Sequence, residues 1–397
     1  MPQHTTFAVE GCCHGDLDRI YEVIERIETR ENLSVDFMIC CGDFQAIRTP
    51  EELETLACPP VYREMKDFHK YWRDESVPRC LTLFVGGNHE APGHLRDMYF
   101  GGYASNGIFY MGASGVFKVN GLRIAGLSGI YKSHDYEKPI FESPPYNEST
   151  KRSAYHVRRF EVEKLMQVKG PVDIVVSHDW PSGITDFGDT ETLLRLKDRT
   201  GQLRSEINSK QLGNPHTMKL LRKLKPKFWF AGHMHVKYPA IYRHEDGVSI
   251  TRFLALDKCI PRRPFLQLLS VDEEGKMVIT ASPPRLRNGI NQVGLDPEWL
   301  AILKANNDAM PVPSTGFNGA QVRAVSDSEI QSMKNFLEFK GVFQVEYLGQ
   351  TCPGDPRYRK WMCDLLGMSD KLDMGSTCQK EASLSASDPS TLLFFED

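Results

Sequence analysis

A chain of 397 residues with 41% hydrophobic and 25% charged side chains is ordinary globular material, long enough for two or three domains and a sizeable core. Its net charge of −4 gives no sign of a broad basic surface for nucleic acid, so contact with a polyanion has to come from a local basic patch or from bound cations, a restriction rather than a veto. The ten cysteines lack the short, regular spacing of a disulfide scaffold, which points to a reducing cytosolic or nuclear setting.

The first residues lack the basic-then-apolar layout of a secretory signal, and no apolar run approaches the ~20 residues of a membrane span, so no membrane contact is expected. Residues 6–9 read as a strand that empties into Glu10-Gly11-Cys12-Cys13-His14-Gly15. A helix follows over 16–29, with Leu17, Ile20, Tyr21, Ile24 and Ile27 at three-to-four spacing. Residues 35–40 form a second buried strand ending in Cys41-Gly42-Asp43-Phe44. After a helical region at 62–72, a third strand at 81–85 runs through Gly86-Gly87 into Asn88-His89-Glu90. Strand, polar loop and helix in repetition predict an α/β sheet with its chemistry along one edge.

Short alternating runs at 108–130, with the turn Asn120-Gly121, predict a hairpin. Residues 131–159 differ in kind: Tyr131, His134, Tyr136, Lys151, Arg152, Tyr155, His156 and Arg158 make a long insertion of basic and aromatic residues, the ingredients for stacking on bases and gripping phosphates. A solvated surface loop has the same composition. Beyond it, 171–176 is an apolar strand ending in Ser177-His178-Asp179, residues 190–210 are charged and helical or mobile, and 217–224 is an amphipathic helix stopped before Pro226. A strand at 228–230 enters Ala231-Gly232-His233-Met234-His235, and outer strands are expected near 241–242, 248–256, 266–271 and 277–280. After Pro283-Pro284 come helices at 297–306, 327–339 and 355–366, with a linker near 310–319.

Five strand ends therefore carry metal-capable residues: Cys12-x-His14, Gly42-Asp43, Gly86-Gly87-Asn88-His89, His178 and Gly232-His233-x-His235. In extended backbone, residues two apart share a side, which pairs Cys12 with His14 and His233 with His235 and turns Cys13 into the core. Singly each is an ordinary core or surface residue; five in succession after strands are hard to read as coincidence. The set resembles the calcineurin-like metallophosphoesterase superfamily, with its D-x-H, G-D, G-N-H-[DE], lone His and G-H-x-H, over roughly the first 255 residues. Cys12 departs from it, standing where most of the superfamily has Asp. With EGCCHGDLDRIY, CCGDFQA, FVGGNHEA, SGIYKSHDY, PPYNESTKRSAYHVR, SHDWP and FLALDKC, and more loosely LDPEWLAILKANND, the chain resembles the RNA lariat debranching enzymes, which carry Cys at this place and an inserted recognition loop.

The resemblance implies an α/β fold: a metallophosphoesterase β-sandwich flanked by helices over residues 1–282, with a lariat-recognition loop at 131–159. The residues themselves add a mostly helical C-terminal domain at 283–366 and, from a composition rich in Ser, Thr and acidic residues, a disordered tail at 367–397. The resemblance implies one metal held by Cys12, His14, Asp43 and His235, and a second by Asp43, Asn88, His178 and His233, so that Asp43 bridges. Two such ions would clamp a phosphodiester and activate a water, with His89 protonating the departing 2′-oxygen as general acid. A thiolate favours Zn²⁺ or Fe²⁺ over Mg²⁺, with Mn²⁺ less excluded on the Asn88 side. The implied substrate is branched lariat RNA cut at its 2′–5′ bond, with Tyr131, His156 and Arg158 as the candidates that hold its branches. The implied location is the nucleus, with the cytoplasm also open. The metal motif alone would equally serve another metallophosphoesterase, a nuclease or a phosphoprotein phosphatase. A non-catalytic scaffold should have lost ligands, and here every position is filled by a competent residue.

Overall fold

The computed structural model describes residues 4–272, 274–278, 292–311 and 321–373. Part of the strand expected at 277–280, most of the linker at 310–319 and the tail beyond residue 373 lie outside them. Along the chain run β1 (Thr5–Glu10), β2 (Phe37–Cys40), β3 (Leu81–Phe84), β4 (Gly102–Ser105), β5 (Ile108–Tyr110), β6 (Ser114–Val119) and β7 (Leu122–Leu127). They continue with β8 (Ile174–Ser177), β9 (Phe228–Ala231), β10 (Tyr238–Arg243), β11 (Ile250–Ala255), β12 (Leu266–Val271) and β13 (Gly294–Leu295). One sheet has the order β12-β1-β2-β3-β5-β4 and the other β10-β11-β9-β8-β7-β6-β13.

Within the first sheet β1, β2, β3 and β5 are parallel, and within the second β7, β8, β9 and β11 are. The central strands FMIC, LTLF, IVVS and FWFA are buried throughout, as parallel strands covered on both faces must be, whereas β10 alternates buried and exposed. The sheets pack face to face as the expected sandwich. Phe7 of β1 meets Phe230 of β9 edge-on at 6.2 Å, and Phe109 of β5 meets Phe117 of β6 at 4.9 Å.

Helices cover the outer faces. Leu17–Glu31 turns Leu17, Ile20, Tyr21 and Ile24 inward and reaches β3 through the Tyr21 hydroxyl, 2.7 Å from Thr82 Oγ1. It ends where Asn32 adopts a left-handed φ of 51°. The helix expected at 217–224 begins earlier, at Pro215, because Asn214 caps it by accepting the N–H groups of His216 and Thr217. The region at 62–72 is helical only over Phe68–Trp72, after a single turn at Pro60–Tyr62. Residues 190–210 resolve into Thr190–Lys197 and Gln202–Asn208. The insertion holds two short helices, Ser133–Tyr136 and Glu148–Ser153, and closes on the body through the bridge Ile130 to His156.

The C-terminal residues are built into this body. β13 extends the second sheet beside β6, and the buried Arg123 guanidinium donates to Asp296 twice and to Glu298 once, each at 2.8 Å. Helix Pro297–Asn306 packs Trp299, Leu300, Ile302 and Leu303 inward, and Asp327–Lys340 lies against it. Arg48, itself fully buried, donates to Thr351 Oγ1 and to the Cys352 carbonyl, each at 3.1 Å. Among the described residues no helix is long and apolar enough to cross a membrane.

Candidate metal centre

The C-terminal ends of β1, β2 and β3 in one sheet and of β8 and β9 in the other open at the same edge of the sandwich, where α/β sheets place their ligand sites. The loop after β1 supplies Cys12 and His14, that after β2 Asp43, that after β3 Asn88 and His89, that after β8 His178, and that after β9 His233 and His235. Ligand atoms of Cys12, His14, Asp43 and His235 all lie within 4.8 Å of one another. His14 Nε2 is 3.2 Å from His235 Nε2 and 3.6 Å from Asp43 Oδ2. The other carboxylate oxygen faces the opposite way: Asp43 Oδ1 is 3.3 Å from His178 Nε2, which is 3.2 Å from Asn88 Oδ1. The His233 ring lies 5.0 Å from that of His178.

The backbone corrects one step of the sequence argument. β1 stops at Glu10 and β9 at Ala231, and His14, Asp43, His233 and His235 all have left-handed φ between 46° and 65°. In such turns residues two apart need not share a side: Cys12 and His14 still converge on one donor set, but His233 and His235 do not. His235 accordingly joins His14, while His233 joins His178 and gives its N–H to Cys12 Sγ at 3.0 Å. Cys13 is fully buried in the core, as the sequence implied. Close approach sets the glycines: a Cβ on Gly42, at φ 112°, would lie 2.3 Å from His178 Nδ1, and one on Gly87 2.2 Å from Asp43 Oδ1.

Electrostatics favour cations here. Burial alone would raise the Asp43 carboxyl, but His178, His14 and His89 hold it well below the usual range. Burial drives His14 down to about 4 and, helped by His14, His235 down to about 3, so both imidazoles are neutral and able to bind a metal. His178 moves the other way, raised by Asp43 and the Cys41 carbonyl against its burial. Burial, then Asp43 and Glu10, push the Cys12 thiol well above its ordinary value, opposed by the His233 N–H. Metal has to expel that proton. His178 Nδ1 donates to the Cys41 carbonyl at 2.8 Å, which aims Nε2 at Asp43.

Donor chemistry and spacing fit divalent ions. Ligands at ~2.1 Å around a tetrahedral ion stand ~3.4 Å apart, close to the observed separations on both sides of Asp43. His89 is half-buried, its ring 5.3 Å from that of His14, and its N–H donates to Asp43 Oδ1 at 2.9 Å. Sequence reasoning passed over Glu90. This buried carboxylate accepts the N–H groups of Phe44 at 2.7 Å, Gln45 at 2.8 Å and Gly87 at 2.9 Å, tying the β2 and β3 loops together. Its acidic place after Asn-His was the available signal.

The three recognition candidates separate. Tyr131 is half-buried, its ring 5.6 Å from Tyr136 and 5.4 Å from His216, and its N–H donates to Asp179 Oδ2 at 3.0 Å. His156 is mostly enclosed, with Nδ1 2.6 Å from Asp135 Oδ2. Arg158 is not presented to a ligand. Its guanidinium is buried, paired with Glu142, and donates to the carbonyls of Asp135 at 2.8 Å and Ser153 at 2.9 Å. Burial and internal partners make it a brace of the insertion, in place of the substrate contact the sequence suggested.

A sandwich with these five loops at one edge is the architecture of a metallophosphoesterase, and the calcineurin-like phosphoesterase model matches residues 5–237. The model of the lariat debranching enzyme C-terminal domain matches residues 248–353. The chain belongs to the lariat debranching enzyme family. It is 47% identical to the lariat debranching enzyme of Danio rerio over 78% of this chain and 52% of that protein. With the Arabidopsis thaliana enzyme it shares 45% over 81% of this chain and 73% of the relative, and with the Homo sapiens enzyme 44% over 83% and 60%. The matches thus span between about half and three quarters of the length of these curated relatives.

Proposed function

We propose that the chain is a metal-dependent phosphodiesterase that hydrolyses the 2′–5′ bond at the branch point of lariat RNA, giving linear RNA with a 5′-phosphate and a free 2′-hydroxyl. The observation that carries this reading is Asp43, whose two oxygens face different donor sets at the meeting of both sheets: His14 with Cys12 and His235 on one side, His178 with Asn88 on the other. Family membership supports the branched substrate. Two divalent cations bound there would neutralise the phosphodiester and ease attack of water on phosphorus. The Cys12 thiolate favours Fe²⁺ or Zn²⁺, with Mn²⁺ tolerated beside Asn88 and His178.

The chain's own groups do the rest. Asp43 is anionic throughout the neutral range and divides its oxygens between the two sides. His89 reaches the centre from the rim, half-buried, as a group that holds a proton and delivers it to the departing 2′-oxygen. Tyr131, at the root of the insertion, offers an aromatic face to a base, and His156 a polar edge. Local cations and this insertion, not net charge, would hold the polyanion, in keeping with the −4 of the whole chain. Residues 1–282 would act as the catalytic domain with 131–159 as its recognition loop, and 283–366 as the domain that braces it. The nucleus, where introns are excised, is the proposed location.

Paired substrates test the reading. An RNA with a 2′–5′ branch and a linear 3′–5′ RNA of the same composition are incubated with the metal-loaded protein, and release of the 2′-linked strand is followed. Cleavage confined to the branch supports the assignment. Equal cleavage of both, or hydrolysis of phosphoserine peptides in preference to either, would replace it with a nuclease or a protein phosphatase.

A further inference from the structure

We propose a separate divalent-metal site of Zn²⁺ type in the insertion, formed by His134, Asp135 and His156. One ligand atom from each residue lies within 4.8 Å of the others, and the cluster shares no residue with the centre at Asp43. Both imidazoles converge on the same carboxylate oxygen: His156 Nδ1 is 2.6 Å and His134 Nε2 3.3 Å from Asp135 Oδ2, with the two rings 5.6 Å apart and nearly perpendicular. Two imidazoles and a carboxylate are a borderline N/O set that suits zinc better than magnesium or calcium.

The geometry needs little change. Bonds of ~2.1 Å place tetrahedral ligands ~3.4 Å apart, so the His134 to Asp135 spacing already fits and the His156 to Asp135 pair has to open by less than ~1 Å. The hydrogen-bond proton between His156 and Asp135 then moves from Nδ1 to Nε2, and the ring ligates neutral. Burial lowers the His156 pKa and Asp135 only partly offsets it, which favours that neutral form. Asp135 is ionised, brought down to about 2 by Lys138 and His156 against its burial. Lys138 holds the other oxygen, Oδ1, at 2.7 Å on a half-exposed side chain that can turn to water.

His134 and Asp135 lie on the short helix Ser133–Tyr136, while His156 is the residue at which the far arm of the insertion bridges Ile130. An ion bound to all three would tie the two arms together. His134 is exposed, its side chain 67% accessible, so the fourth position opens outward to water or a phosphate oxygen. The ion would thus stiffen the insertion and add positive charge to it.

The test compares the full chain with His134→Ala and Asp135→Asn, each dialysed to equilibrium against micromolar Zn²⁺. The centre at Asp43 is common to all three proteins, so the difference in bound metal reports the site in the insertion. His134→Ala removes an exposed side chain and leaves the fold intact. We expect one Zn²⁺ fewer per chain in each variant, together with Zn²⁺-dependent protection of residues 131–159 from proteolysis in the native chain alone. Equal zinc in native chain and His134→Ala, with proteolysis indifferent to the ion, would overturn the proposal and leave Asp135 as an ion-pair acceptor only.

Discussion

Replacing Gly87 by Ala adds one carbon at the most crowded point of the centre. That Cβ would lie 2.2 Å from Asp43 Oδ1, 2.3 Å from the Asp43 backbone nitrogen and 2.8 Å from His178 Nε2, where ordinary contact begins at 3.4 Å. The shortfall of about 1.2 Å falls partly on backbone, so it cannot be relieved by a side-chain rotation; the β2 and β3 loops have to part. Misplacing reacting groups by ~1 Å costs about 10²-fold in rate. Gly87→Ala should therefore purify with less than half the metal of the native chain, turn over branched RNA ~10²-fold more slowly and lose about 1–3 kcal/mol of stability to the overpacking. Gly86→Ala is the control, because its Cβ meets the flexible Leu95 Cδ1 at 2.8 Å and the Ser128 Cβ at 3.5 Å. It should retain its metal and stay within about tenfold in turnover. Metal content and kcat measured together decide the matter: native values in Gly87→Ala would refute the close approach on which the centre is built.

His89→Ala should keep its metal and its affinity for branched RNA while losing ~10²–10⁴-fold in kcat; loss of metal instead would make His89 a ligand. Arg158→Met leaves Glu142 as a buried, unpaired carboxylate, and breaking such a pair costs about 3–5 kcal/mol. Amide exchange across residues 133–158 should quicken with the metal content of the centre unchanged, and unaltered exchange would remove Arg158 from its bracing role. Metal uptake should release a proton. The Cys12 thiol, pushed up by burial, is protonated in the neutral range and is the main source, with a further contribution from His178, whose pKa Asp43 raises, whereas His14 at about 4 and His235 at about 3 are already neutral and contribute none. Titration calorimetry in buffers of different ionisation enthalpy should find that proton at pH 7.5, and its absence would show that the thiol does not bind as thiolate. Cys12→Asp should shift preference from Zn²⁺ or Fe²⁺ toward Mn²⁺ in competition binding, and an unchanged preference would dismiss thiolate softness as the selector.

Much of this architecture could be read from the chain because its signals are local. Apolar runs such as FMIC and FWFA, each closed by glycine and a polar residue, fix strands and the edge where they open. What sequence could not give was the direction of side chains beyond those strands. In left-handed turns at His14, Asp43, His233 and His235, alternation along an extended chain no longer holds, and His233 and His235 part company. Glu90 went unnoticed because its partners are backbone N–H groups, two from the β2 loop and one from its own, which carry no side-chain signature. Arg158 misled for the converse reason: composition marks an arginine as available, and only the fold shows it buried, with Glu142 and two carbonyls taking three of its five donors.

Anomalous diffraction from crystals of the metal-loaded chain, recorded at the iron, zinc and manganese edges, tests the central claim most directly. Two peaks should flank Asp43, each within bonding distance of one of its carboxylate oxygens, one also touching Cys12, His14 and His235 and the other Asn88, His178 and His233. A single peak, or two that do not share Asp43, would contradict the account.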